Sequence, residues 1–320
     1  MTRRSPRAVF ASEAATLPDA ARPAAWSAER ERGSPIAVAL FAWATLALGR
    51  RATRWLLHPI CWYFIAFSPR TRWASRTFLR RALGREPRSG DVLRHFHTFA
   101  ATVHDRVLLL SGGLEGFDIE VQGGAIVESI LRSGRGCILL GSHLGSFEVL
   151  RALGRATNTR AVNVVMHSQN AMHTARAFGR IAPELKDRII APGQPDAMLK
   201  VKECLEKGEI VGILGDRLLR GAKAGSRGFL GVPARFPLGP LQLACTLGAP
   251  VVTCFALYEG ASRYRICIET LSAGGAVPRA ERAARVAGWL DRYVERLEHQ
   301  ARRSPYNWFN FYDFWNEIPG

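Results

Sequence analysis

At 320 residues with 48% apolar content, the chain is long enough for one large domain with accessories or for two, which excludes a polypeptide too short or too polar to build its own core. Its net charge of +17 implies a negative partner surface and excludes an acidic chain held apart from phosphate by repulsion. Of 44 basic residues only five are lysine, and the planar fork of arginine suits phosphate, whether in nucleic acid, lipid headgroups or phosphopantetheine carriers.

Residues 1–34 are polar, rich in Ala and Pro and without period, and read as a largely disordered tail with room for a short helix near Trp26–Arg32. No apolar run follows the early arginines before Ile36, so a cleavable signal peptide is not expected. Residues 35–90 then read as an anchoring segment. Ile36–Leu48 is apolar throughout; as a helix it covers ~20 Å at 1.5 Å per residue, short against a hydrocarbon slab of ~30 Å. Arg50, Arg51 and Arg54 interrupt, and Trp55–Phe67 forms a second apolar, aromatic-rich run broken at Pro59. Arg70, Arg72, Arg76, Arg80, Arg81, Arg85 and Arg88 follow, with Arg72, Arg76 and Arg80 on one helical stripe. Tryptophan-rich apolar runs flanked by arginines, each worth about 1 kcal/mol near an anionic surface, describe a segment dipped into a membrane face. A buried core helix beside a solvated basic one is the plainer alternative.

Residues 91–320 read as one α/β domain. Val92, Phe96, Phe99, Val103, Val107 and Leu110 recur at three and four, predicting an amphipathic helix over 91–112. Its His97 and His104 lack the further ligands a zinc site needs. Beyond it helix and strand signals alternate: helix Ala125–Arg132, strand Cys137–Leu140, helix Phe147–Ala156, strand Ala161–Met166, helix Ala171–Ile181, strand Ile189–Ala191, helix Ala197–Lys207 and strand Ile210–Leu214. Helix Leu238–Leu247, strands Val251–Leu257 and Tyr264–Ile268 and helix Arg279–Gln300 complete the pattern. The expected fold is α/β, a mostly parallel sheet flanked by helices, with the N-terminal apolar membrane-associating helical segment attached. Six scattered cysteines without a Cys-x-x-Cys read as reduced core residues.

The stretch Gly141-Ser142-His143-Leu144-Gly145-Ser146-Phe147-Glu148 joins a buried strand to a helix, at the strand's carboxyl end, where open α/β sheets bind ligands. His143 titrates near neutral pH and can take the proton of a hydroxyl that attacks a carbonyl. Glu148, reached across a tight turn, would accept from the other ring nitrogen and fix the tautomer. The bland reading is a histidine at a helix start with a glutamate in the first turn. Gly215-Asp216-Arg217 occupies a second strand's exit, so two polar strand ends can converge on one cleft. Arg217 would stabilise a developing oxyanion or hold a phosphate, with Asp216 orienting it; alternatively the two simply pair in a turn. Phe229–Pro240 reads as a loop punctuated by Gly and Pro, in which Gly239 and Pro240 would shape a pocket, and Arg220, Lys223, Arg227 and Arg235 as a basic lip or a solvated face. Ser142 and Ser146 are the hydroxyls that His143 could activate.

His-x4-Glu after a strand resembles the first motif of the glycerolipid and lysophospholipid acyltransferase superfamily, and Gly-Ser-His-Leu-Gly-Ser-Phe-Glu is most similar to the bacterial lipid A late acyltransferase branch. Gly215-Asp216-Arg217 with Gly228–Pro240 is similar to that branch's second block. The tail Tyr306–Trp315 resembles its aromatic ending, and that of a subgroup associated with aryl polyene-type and other surface lipids. The likeness runs from about Arg32 to the C-terminus. Phe236-Pro237-Leu238-Gly239-Pro240 departs from the Phe-Pro-Glu-Gly of glycerol-phosphate acyltransferases, with Leu238 in the acidic position, which fits the lipid A-type branch. The resemblance implies an acyltransferase moving a fatty acyl chain from acyl carrier protein or coenzyme A to a hydroxyl of a lipid or glycolipid. It would work at the cytoplasmic face of the inner membrane, with no metal or bound cofactor and no nucleic-acid partner. His143, Glu148 and Arg217 would be catalytic, and Ser142, Ser146, Asp216, Arg235, Gly239 and Pro240 would bind substrate. The alternatives are a lipid esterase and a non-catalytic basic protein of the membrane surface.

Overall fold

Short apolar segments separated by helices build one seven-stranded sheet. The computed structural model describes residues 35–156, 161–166, 188–192, 194, 196–219 and 221–316. In chain order the strands are β1 (Asp118–Gln122), β2 (Cys137–Gly141), β3 (Val162–Val165), β4 (Ile189–Ile190), β5 (Ile210–Leu214), β6 (Ala224–Phe229), β7 (Val232–Pro237), β8 (Val251–Gly260) and β9 (Arg263–Ser272). The large sheet runs β1-β9-β8-β2-β5-β3-β4, every neighbouring pair parallel except β8 with β9. The helices are α1 (Pro35–Thr53), α2 (Leu57–Phe67), α3 (Pro69–Leu83), α4 (Ser89–Leu110), α5 (Gly124–Arg132), α6 (Phe147–Ala156), α7 (Ala197–Glu206), α8 (Gly239–Leu247) and α9 (Arg282–Arg303). The expected α/β fold with a mostly parallel sheet is therefore met.

Alternation along β2 explains why its residues are all buried. Cys137 and Leu139 join one apolar cluster with Val149 and Leu150 of α6, while Ile138 and Leu140 join another with Leu241 of α8 and Leu290 of α9. A strand covered on both faces reads as continuous apolar sequence. Gly212 in β5 leaves room for the Phe147 ring, which would lie 2.2 Å from a Cβ at that position.

Three local readings are corrected. Phe229–Pro240, expected as a loop, is largely strand: β6 and β7 pair antiparallel in a hairpin of their own, turning at Leu230 and Gly231, whose φ values of 53° and 83° suit a tight two-residue turn. β1 is an edge strand absent from the expected set, because Asp118–Gln122 is mostly exposed and carries little apolar signal. Pro59 does not break the second apolar run. It stands third in α2, where its missing N–H would have had no intrahelical partner.

Among the described residues no helix is long and apolar enough to cross a membrane. Gly49, at φ 79°, interrupts α1 near its end. The expected tail 1–34 and the expected helix Ala171–Ile181 lie outside the described residues, as does Arg220.

Among the described residues, the N-terminal helices carry most of the large exposed apolar side chains. Trp43 is 64% exposed, Trp55 76%, Trp62 59% and Phe67 63%, joined by Leu40, Leu46, Leu48, Leu56, Tyr63 and Trp73. Their arginines, expected to face an anionic surface, mostly turn back onto the protein. Arg50 forks onto buried Asp105 of α4 at 2.7 and 3.0 Å, and Arg54 reaches the Tyr258 hydroxyl. Arg72 donates to the Ile65 carbonyl and Arg76 to that of Pro87. Arg80 pairs with Glu86, Arg85 with Asp91, and Arg81 stacks over Trp315. Asp105 also accepts from the Tyr264 hydroxyl at 2.9 Å, so one buried carboxylate ties α1 and α4 to β9. Arg51 and Arg70 remain exposed without an ion pair among the described residues.

Candidate active site

The site follows from the register of two strands. β2 and β5 are parallel neighbours whose last paired residues are Gly141 and Leu214. Two positions beyond each stand His143 and Asp216, and they meet: His143 Nδ1 lies 2.8 Å from Asp216 Oδ1, and the His143 backbone N–H donates to Asp216 Oδ2 at 2.9 Å. The loops are held level by Gly215 N–H and the Tyr293 hydroxyl of α9, both donating to the Gly141 carbonyl at 2.9 Å. Gly215 is closely packed: a Cβ there would fall 2.9 Å from Leu140 and 3.1 Å from the Tyr293 ring, so a neighbouring side chain would have to shift.

Glu148 is not the carboxylate on the imidazole. It pairs with Arg106 of α4 at 2.6 Å, and the charges that act on His143 are those of Arg217 and Asp216. The reason lies in the segment between them, which makes no tight turn back to His143. Leu144 bridges Trp308, Gly145 bridges Ala256, and Gly145 and Ser146 N–H donate to the Asn307 and Ala256 carbonyls at 2.9 and 2.8 Å. At Gly145, with φ +87°, a Cβ would sit 2.0 Å from the Ala256 oxygen, so only glycine allows this approach. α6 then begins with Phe147 turned into the sheet, and Glu148, about 100° further round the helix, faces α4.

Asp216 orients His143, whereas the sequence suggested that it orients Arg217. Its carboxylate is fully buried and takes three N–H donors, the third being Asn310 Nδ2 at 2.8 Å. Burial would push the Asp216 carboxyl up, but the His143 ring, Arg217 and these hydrogen bonds outweigh it and hold it at about 2. Burial, with the charge of Arg217, pushes His143 down from its ordinary 6.5 against the pull of Asp216. The pair at neutral pH is thus a carboxylate and a neutral imidazole. Since Asp216 can only accept, the ring proton sits on Nδ1 and Nε2 carries the lone pair. Nε2 has no hydrogen bond among the described residues, and the side chain is 24% exposed.

Arg217 is tied to the tail, with Nε on Asn310 Oδ1 at 2.7 Å, Nη2 on the Phe309 carbonyl at 3.2 Å and its guanidinium over the Tyr312 ring. The aromatic tail is thereby part of the site. Phe309 N–H donates to the His143 carbonyl at 2.7 Å, and Trp308, fully buried, packs on Phe78, Phe229, Phe314 and Trp315. His95 of α4 donates Nε2–H to the Trp308 carbonyl at 2.8 Å while its Nδ1 accepts from Ser75 of α3 at 2.9 Å. Asn307 holds both the N–H and the carbonyl of Tyr258 in β8.

The other expected residues are less central. Ser142 is buried, its Oγ accepting from Leu144 N–H at 3.2 Å, and Ser146 is buried at the start of α6. Arg235 is exposed on β7 without an ion pair among the described residues, and its hairpin neighbour Arg227 pairs with Asp291. Gly239 and Pro240 open α8, with open space where a Gly239 Cβ would be and no hydrogen bond to the His143–Asp216 pair among the described residues. All six cysteines are free, and burial pushes Cys137 up to about 12, which removes the nearest thiol in sequence as a nucleophile. No group of three or more His, Cys, Asp or Glu that could hold a metal occurs among the described residues.

Sequence reasoning missed Asn310. The available signal was that Asn307 and Asn310, like Asp313, interrupt an aromatic segment, and buried amides need partners.

A parallel sheet covered on both faces, with a histidine and a carboxylate meeting past adjacent strand ends, defines an α/β protein whose site lies where such sheets bind ligands. The family model for bacterial lipid A biosynthesis acyltransferases matches residues 30–316, and the chain belongs to that family; it is an acyltransferase. No curated protein matches it individually.

Proposed function

We propose that the enzyme moves a fatty acyl chain from the thioester of acyl carrier protein or coenzyme A directly to a hydroxyl of a lipid or glycolipid, a lipid A-like or other surface lipid. His143 Nε2 takes the hydroxyl proton as its oxygen bonds to the thioester carbonyl carbon. Asp216 fixes the tautomer and stabilises the imidazolium. The tetrahedral intermediate then expels the thiolate, which recovers the proton from His143. Arg217 supplies fixed positive charge beside the pair for the oxyanion or for a phosphate of the substrate. Both substrates are present together and no acyl-enzyme forms. The 2.8 Å contact of His143 Nδ1 with an ionised Asp216 carries this reading, because it leaves Nε2 basic at neutral pH.

The exposed tryptophans of α1 to α3 dip into an anionic membrane at its cytoplasmic face, bringing the acceptor's alcohol to the domain. Burial of those rings, more than the arginines, drives the contact, since most of the arginines are spent within the fold. Lipid mass spectrometry of cells making the wild type or His143→Ala tests the reading: the acylated lipid is expected to vanish in the variant. Its persistence, or an acylated protein trapped from radiolabelled donor, would contradict the mechanism.

A further inference from the structure

Asn310 stands where three parts of the molecule converge. Its Nδ2 donates to Asp216 Oδ2 at 2.8 Å and its Oδ1 accepts from Arg217 Nε at 2.7 Å, so one carboxamide spans both polar residues of the β5 exit. The side chain's orientation follows from chemistry: a carboxylate only accepts and a guanidinium only donates, and the reverse placement of the amide would satisfy neither. Asn310 is 2% exposed, so neither bond is exchanged for water. The residue before it is fixed twice, by Phe309 N–H on the His143 carbonyl and by the Phe309 carbonyl on Arg217. One residue earlier, His95 grips the Trp308 carbonyl.

The division of labour at Asp216 gives this geometry a purpose. Oδ2 takes the His143 backbone N–H and Asn310, while Oδ1 takes the imidazole N–H. With both donors on Oδ2, rotation of the carboxylate about its Cβ–Cγ bond breaks two hydrogen bonds in a buried site. We propose that Asn310 is a positioning residue for acyl transfer, holding Asp216 and Arg217 together so that Asp216 keeps Oδ1 on His143. This rests on His143 being the base.

The test compares Asn310→Asp, Asn310→Ala and His143→Ala with the wild type in steady-state acyl transfer, each checked for fold by thermal melting. Asn310→Asp keeps an oxygen to receive Arg217, replaces the donor to Asp216 with a carboxylate oxygen and adds a negative charge. If Asn310 served merely to fasten the tail through Arg217, that variant would keep its rate. Positioning predicts instead that kcat falls about 10- to 100-fold in both Asn310 variants, with KM for acceptor and donor near wild type. In Asn310→Asp the added negative charge stabilises the imidazolium against Arg217, so the acidic limb of the pH–rate profile moves to higher pH. Wild-type kcat in a folded Asn310→Asp, or loss expressed only as KM, would overturn the proposal. So would failure of both Asn310 variants to fold, which would make the residue one of packing alone. Full activity in His143→Ala would instead overturn the base itself, whatever the Asn310 variants do.

Discussion

The two ends of the chain's polar chemistry are built in opposite ways. At the β2 and β5 exits, polar groups are buried and partnered: Asp216 and Asn310 are almost wholly enclosed, and each of their side-chain N and O atoms meets a donor or acceptor. Across α1 to α3 one set of large apolar groups is exposed, with three tryptophans more than half accessible, while Arg50 and Arg72 beside them turn inward. Burying polar atoms demands fixed geometry, and the site has it. Exposed large rings favour contact with another apolar phase, and the proposed membrane contact supplies one. The same protein thus fixes its buried polar groups in a hydrogen-bonded network and leaves large apolar rings exposed.

That contrast can be broken experimentally. Gly145→Ala should have the largest effect on the rigid half, because its Cβ would meet the Ala256 oxygen at 2.0 Å in a left-handed backbone. A loss of about 2–4 kcal/mol in unfolding free energy is expected by denaturant titration; a neutral substitution would mean that the strand end is not locked. On the open half, replacing Trp43, Trp55 or Trp62 with Ser should weaken binding to anionic vesicles about 10-fold each in a flotation assay, with turnover on detergent-dispersed substrate retained. Unchanged flotation would remove the membrane role from these rings.

A smaller effect separates the rings from the arginines. Converting Arg72, Arg76 and Arg80 together to Gln should reduce vesicle binding by less than the ~1 kcal/mol per residue of a lipid-facing cation, since each already has a partner within the fold. A larger drop would put the stripe back on the membrane.

Acid sharpens the comparison from the rigid side. Burial pushes His95 and His104 down to about 4 and His143 below its ordinary range. The unfolded chain takes protons on these rings near pH 6.5 and the folded chain does not until lower pH. Their stability contribution is therefore complete above about pH 6.5 and lost as pH falls towards 4. The melting temperature should decline between pH 7 and 5, and a rise over that window would contradict neutral buried rings.

The legible and illegible parts of the site have a common physical origin. His143 and Asp216 each lie past an apolar strand, a local pattern, and their convergence on one cleft follows from two parallel strand ends. That β2 and β5 are neighbours is a tertiary fact: they are separated in sequence by β3 and β4, so the register that puts Asp216 on His143 is invisible to spacing. Glu148 looked suitable because it is close in sequence, but the bridges at Leu144 and Gly145 carry it away to Arg106. The β6–β7 hairpin was hidden by its glycines and prolines. The tail announced packing through its aromatics while its asparagines gave no periodic signal.

The carboxylate on His143 follows β5 and does not come from α6. Side-by-side pH–rate profiles of Asp216→Asn and Glu148→Gln, both confirmed folded, test it most directly. Asp216→Asn should lose about 10³- to 10⁴-fold in kcat through the wrong tautomer, whereas Glu148→Gln should leave the acidic limb where the wild type has it. A shifted limb in Glu148→Gln together with near-normal turnover in Asp216→Asn would contradict the account.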